Sequence, residues 1–235
     1  LHIWLAFLFM ASLPSTVSSS VVMVSIAKGN IPAAIFNASI SGLIGIVVTP
    51  LWMGIFLEHQ SGDFSLLDVY TSLILQILLP VFLGLLLHRY LGGFATRYNS
   101  YLTLFDKLVI LLIIYKSFVH SFEDGIFDSV KLEQLALIYS GVLALFFLVF
   151  FIIGRVSKLL KFSTEDTITA QFCGTKKSLV HGTVFSSILF PASFSIGIIL
   201  LPLMLFHVTQ IFIISIVASK VSKRDDTGEI VTSNQ

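Results

Sequence analysis

The chain has 235 residues, of which 56% are hydrophobic and 22 are Phe, with 11% charged residues and a mean hydropathy of +0.97. A soluble globular domain carries about 25% charge, so that class is excluded and a polytopic membrane protein is expected. The net charge of +1, with no basic patch among aromatics, gives no basis for nucleic-acid binding, and a single cysteine, Cys173, allows no intrachain disulfide framework or thiolate zinc site.

About 20 apolar residues cross the hydrocarbon core as a helix, and that measure predicts seven crossings in chain order. The first, 1–27, opens at Leu1 with no charged n-region, so no signal peptide is expected and the chain is expected to begin partway through a longer protein. At its middle lies Leu13-Pro14-Ser15-Thr16-Val17-Ser18-Ser19-Ser20. Pro14 removes a backbone donor, and Ser18, Ser19 or Ser20 can cap a helix that starts anew. The second crossing, 31–57, carries Asn37, Ser39 and Ser41, placed to face either a site or a neighbouring helix, and Ala34, Ala38, Gly42 and Gly45, which suit close helix packing. Crossings 65–88, 100–120 and 133–154 follow, with Lys116 mid-span and able to snorkel or to line one side of a cavity.

The sixth crossing, 164–190, is interrupted by Gln171-Phe172-Cys173-Gly174-Thr175-Lys176-Lys177-Ser178. Lysine at bilayer depth costs roughly 2.5–3.5 kcal/mol, so such side chains face protein or water and mark a pathway. The seventh crossing, 193–219, carries His207 and Gln210 one turn apart, which suit a structural hydrogen bond between helices or a contact to a solute. Residues 220–235 read as a disordered polar tail.

The connections alternate in charge. Lys28, Arg89, Arg97, Arg155, Lys158, Lys161, Lys220, Lys223 and Arg224 fall on one side, and Glu58, Asp63, Glu123, Asp124 and Asp128 on the other, with Lys131. The positive-inside rule makes the first side cytoplasmic, including the C-terminus, and puts Leu1 outside. Taken singly, each interruption reads as an ordinary proline or hydroxyl kink. Two of them, each followed by one more crossing, read as discontinuous helices in matching halves, the pattern of a transporter site at a repeat interface. If each half is a five-helix repeat, three helices precede Leu1 and the halves are inverted.

These residues resemble the bile acid:sodium symporter superfamily, in particular its SBF-like branch, which has bacterial members and the eukaryotic solute carrier family ten member seven type. The resemblance runs through Leu13-Pro14 and Ser18-Ser19-Ser20, Lys28-Gly29-Asn30, and Leu43 to Leu51 with Gly45 and Thr49-Pro50; it continues in Phe172 to Leu179 and in Leu201-Pro202 to His207. It implies an all-α fold of inverted five-helix repeats with two crossing broken helices. In that fold 1–57 and 133–219 belong to a core domain, 65–120 to a panel domain, and 220–235 to a cytoplasmic tail. It also implies a plasma (inner) membrane location and transport by movement of core against panel.

One departure stands out. In sodium-coupled relatives the second break carries a Glu and a Gln that help to bind sodium; aligned through Gly174, those positions look like Phe172 and Lys176. Asp68, Asp106 and Asp166 all lie near predicted span ends, so no carboxylate replaces the lost one. The expectation is that the Lys176 ammonium takes the electrostatic role of the ion at half-helix C-termini, where unpaired carbonyls gather. A lysine that exchanges its proton would also open a route to proton coupling. Lys177 faces about 100° away on a helix and need not share the site.

The residues expected to contact solute or ion are Pro14, Ser15, Thr16, Ser18, Ser19, Ser20, Asn37, Gln171, Cys173, Gly174, Thr175, Lys176, Lys177, Ser178 and His207. For the serines and Thr175, helix capping competes with ligand contact, and His181 is a weaker proton-relay candidate. The function expected is secondary active transport of a small anionic organic solute by alternating access, without sodium coupling of the usual kind. The alternative is a non-transporting membrane regulator of calcium homeostasis. The chain carries no HExxH, GxSxG, GxxxxGK[ST] or GxGxxG, so no enzyme and no cofactor are expected.

Overall fold

A computed structural model describes residues 3–57, 66–123, 131–190 and 194–224. Glu58, Asp63, Asp124 and Asp128, on which the expected acidic face rests, lie outside the described residues, as does the tail from 225. Among the described residues all regular structure is helical: α1 (Ile3–Ser12), α2 (Ser18–Ile26), α3 (Ile31–Leu57), α4 (Leu66–Leu73), α5 (Leu79–Arg97), α6 (Asn99–Glu123), α7 (Leu132–Leu159), α8 (Thr164–Gly174), α9 (Leu179–Leu189) and α10 (Ile196–Val221).

Four helical stretches are long and apolar enough to cross a membrane by length and composition: Ile31–Leu57, Leu67–Arg97, Leu132–Leu159 and Ile196–Val221. Of these, α3 and α10 show almost no amphipathic bias, as helices with apolar surroundings on every side do. No residue of α5 is buried. Its Leu85 is 70% exposed and its Phe82 59%, a surface that only lipid or further protein can cover. The helices at the two interruptions are about half the spanning length, with 10, 9, 11 and 11 residues.

Two local features differ from the sequence reading. A connecting loop is expected at 89–99, yet α5 runs to Arg97 and α6 begins at Asn99. Tyr98 between them stays in the hydrogen-bond register, its N–H donating to the Phe94 carbonyl and its own carbonyl accepting from Leu102 N–H. Charge at Arg89 and Arg97 therefore marks a helix end reaching beyond the apolar stretch, because arginine is as good a helix former as leucine. Between α4 and α5, Ile74–Leu78 is π-helical. Pro80 follows within the first turn of α5 and has no N–H to give Gln76, so the ladder slips by one residue and Leu79 N–H reaches the Ile74 carbonyl.

The core sits where α1 packs on α10 and α3, α2 on α3, α8 and α10, and α7 on α8 and α10. Phe9 meets Phe190 edge-on with ring centroids 5.2 Å apart, and Phe146 meets Phe206 at 5.9 Å. Glycine admits one close approach here: a Cβ on Gly45 would lie 2.7–3.0 Å from the Pro14 ring, so α3 passes directly against the first interruption.

Candidate functional site: two interrupted helices in contact

The first interruption, Leu13 to Val17, and the second, Thr175 to Ser178, touch. Ser178 N–H donates to the Pro14 carbonyl at 2.9 Å, and the Ser15 hydroxyl donates to the Cys173 carbonyl at 2.7 Å. Lys176 and Lys177 reach across in different directions. The Lys177 ammonium donates to the Ala11 carbonyl at 2.6 Å and to the Leu13 carbonyl at 2.9 Å. The Lys176 ammonium donates to the Ser19 carbonyl at 2.6 Å, in the first turn of α2.

This follows from how α1 ends. A helix leaves its last four carbonyls without donors, and Pro14 removes one more N–H. Each orphan finds another partner. Met10 C=O accepts from Leu13 N–H, Ala11 and Leu13 C=O from Lys177, and Ser12 C=O from the Thr49 hydroxyl at 2.8 Å. Ser15 N–H, which would have served Ala11, donates instead to the Ser41 hydroxyl at 3.0 Å. The cation at the C-terminal end of α1 is thus Lys177 rather than Lys176, with the helix dipole favouring it. Lys176, 1% exposed, has one hydrogen-bond partner among the described residues for its three donors.

The second interruption is pinned by α10. Gln210, fully buried, accepts from Lys177 N–H at 2.8 Å, donates to Lys177 C=O at 3.0 Å, and shares a 2.8 Å contact with His207 Nδ1. The link from Gln210 across helices is the bond expected at this pair, although its partner is backbone. Ser178 caps α9, accepting from His181 N–H, and its hydroxyl also meets His181 Nδ1 at 2.8 Å. The Thr175 hydroxyl donates back to the Gln171 carbonyl at 2.7 Å, which commits its hydrogen to α8.

The serine cap expected at α2 is absent: Val17 occupies the N-cap position and no side chain caps the first turn. The hydroxyls pair with one another instead, Thr16 with Ser19 at 2.6 Å and with Ser20 at 3.4 Å, while Ser20 also approaches the Cys173 sulfur. Ser18 is exposed. Two expected residues lie away from the contact. Gln171 donates to the Phe150 carbonyl at 3.2 Å against Gly154, joining α8 to α7. Asn37 lines a separate cleft of about 340 Å³ with Phe36, Phe162, Asp166 and Thr169. Gly174 is exposed, its backbone beside Ile153.

Sequence reasoning named Ser41 only as one of two options and Thr49 only within the resemblance, and it did not name Ser12, whose hydroxyl donates to the Phe9 carbonyl at 2.8 Å and completes the end of α1. Thr49 stands directly before Pro50, a position that reads as kink chemistry alone. Lys28-Gly29-Asn30 entered only through the resemblance and, for Lys28, the charge pattern, and its contacts to α8 and Arg224 were not foreseen.

The sequence model of the SBF-like CPA transporter family matches residues 2–223. An uncharacterized protein of Pseudomonas aeruginosa is 34% identical over 225 residues, 96% of this chain and 67% of its own length. YfeH of Escherichia coli, named as a candidate symporter, is 34% identical over 94% of this chain and 66% of its own length. A zebrafish (Danio rerio) protein named sodium/bile acid cotransporter 7 is 30% identical over 90% and 63%. The chain therefore spans about two thirds of the length of these curated relatives.

Proposed function

Because this chain belongs to the SBF-like CPA transporter family, we propose that it is the larger part of a secondary active transporter that carries a small anionic organic solute by alternating access. The observation that carries this reading is the pair of interruptions joined across by Lys176 and Lys177. Interrupted helices meeting inside a bundle are where transporters of this architecture place solute and coupling ions. The first turn of α2 has no side-chain cap, which leaves N–H groups and partial positive charge next to the Lys176 ammonium. Both favour an anionic group.

In this reading the interruptions belong to inverted five-helix repeats, 1–57 and 133–219 to the core, and 65–120 to the panel. Ser15, Thr16, Ser19, Ser20, Cys173 and Lys176 lie nearest the solute, while Pro14, Lys177, Ser178 and His207 hold the crossing. The basic face is cytoplasmic, in a plasma (inner) membrane. The name of the zebrafish relative couples a solute to sodium. Two ammonium groups already occupy the crossing in this chain, and a third monovalent cation beside them is electrostatically opposed. Transport independent of a sodium gradient is the consequence.

Reconstituted flux tests this. Anionic solutes screened in proteoliposomes should give uptake that persists when sodium is replaced by choline, and Lys176→Met should abolish it. Uptake that needs sodium and survives Lys176→Met would overturn the lysine reading. Complete absence of flux for purified protein would favour a regulator instead.

A further inference from the structure

At the basic face the two interrupted helices are tied a second time. Lys28, with φ 52, and Gly29 turn the chain from α2 into α3. Asn30 then faces the start of α8: its side-chain amide donates to Asp166 Oδ1 at 2.8 Å, and its N–H to the Thr169 hydroxyl at 2.9 Å. Arg224, just past α10, closes the arrangement. It is 7% exposed, and its Nη2 donates both to the Lys28 carbonyl at 2.7 Å and to Glu165 Oε1 at 3.1 Å. One guanidinium thereby joins the end of α2, the first turn of α8 and the end of α10. Gly29 is pressed into the seam, where a Cβ would lie 2.9 Å from Val24 and 3.1–3.3 Å from Thr169 and Ile168.

The other halves of the interrupted helices, α1 and α9, touch through the apolar Phe9–Phe190 ring contact. We infer that Arg224 is a strap that holds α2 and α8 together at the basic face and so keeps the passage from that face to Lys176 and Cys173 shut. Arg224 touches neither interruption; it is a positioning residue that acts through α2 and α8. The inference concerns access rather than the identity of the solute, so it stands or falls separately from the function proposed above.

The chain supplies its own reporter. Cys173 is its one cysteine, 1% exposed and bonded through its carbonyl to Ser15. A membrane-impermeant maleimide is applied to the full chain in vesicles of both orientations. Losing one charge-assisted tie should raise the labelling rate of Arg224→Ala about tenfold over wild type, from the Arg224 face only. Arg224→Lys, which still offers a donor to the Lys28 carbonyl, should stay within about threefold of wild type. Equal rates for Arg224→Ala and wild type would overturn the strap, and so would an equal rise from both faces, which signals general loosening. If Arg224→Ala does not fold, Glu165→Ala decides. It removes the acceptor on α8 and keeps the bond to Lys28, so a one-sided rise supports the strap and no change overturns it.

Discussion

The Lys177 ammonium lies where α1 presents unpaired carbonyls, while that of Lys176 lies at the first turn of α2, a helix start that repels cations. The two should therefore respond oppositely to truncation. Lys177→Met strands two carbonyls at about 1–3 kcal/mol each, so the unfolding midpoint in detergent should fall clearly. Lys176→Met removes a buried charge held by one bond, and desolvation of a lone charge costs several kcal/mol, so the midpoint should hold or rise. Equal losses for both would contradict this division. Sequence alone put both lysines in the second interruption, but it gave the C-terminal carbonyls to Lys176 and left Lys177 free to face elsewhere. The choice between neighbours depends on the local backbone past Gly174, which composition and spacing do not encode.

At the level of elements, α3 and α10 act as splints for the interruptions. Gly45→Ala on α3 would drive a methyl into Pro14 and should cost about 1–3 kcal/mol by overpacking, read as a lower unfolding midpoint. Gln210→Leu on α10 fits the space but unpairs both Lys177 N–H and C=O, with an expected loss of about 2–4 kcal/mol. Gln210→Glu should recover part of it, since a carboxylate still accepts from Lys177 N–H. Both interruptions were legible because proline, glycine and polar residues stand out in an apolar span. The splints were less so: Thr49 and Ser41 look like any hydroxyl in a membrane helix. The missing serine cap at α2 has the same origin, because Ser18 to Ser20 can bond each other or the backbone, and the neighbouring Thr16 decides.

For the whole molecule, an apolar exterior is the dominant fact. Its two tryptophans, Trp4 and Trp52, are each about half exposed, 48% and 47%, and both pack against Phe56. Reconstituted in lipids brominated on their acyl chains, the protein should lose most of its tryptophan fluorescence. Retention of the signal would mean that this face is covered by protein. The all-helical character of the described residues was readable from apolar run lengths, whereas seven crossings were expected and four stretches are long and apolar enough to span. The continuous path through Tyr98 was not readable, because a basic cluster marks a membrane boundary without saying that the helix stops there.

The end of α1 has a mechanical corollary. Its Ala11 and Ser12 carbonyls are claimed by a side chain from the second interruption and a hydroxyl from α3, and the Pro14 carbonyl just beyond it by an amide at the start of α9, each drawn from a different direction. Sliding α1 along any one neighbour would rupture bonds to the others, so no low-energy shear plane passes through the crossing. Whatever displacement the protein undergoes in its working cycle, this knot must be carried along as a single piece, with the give located at its outer boundary.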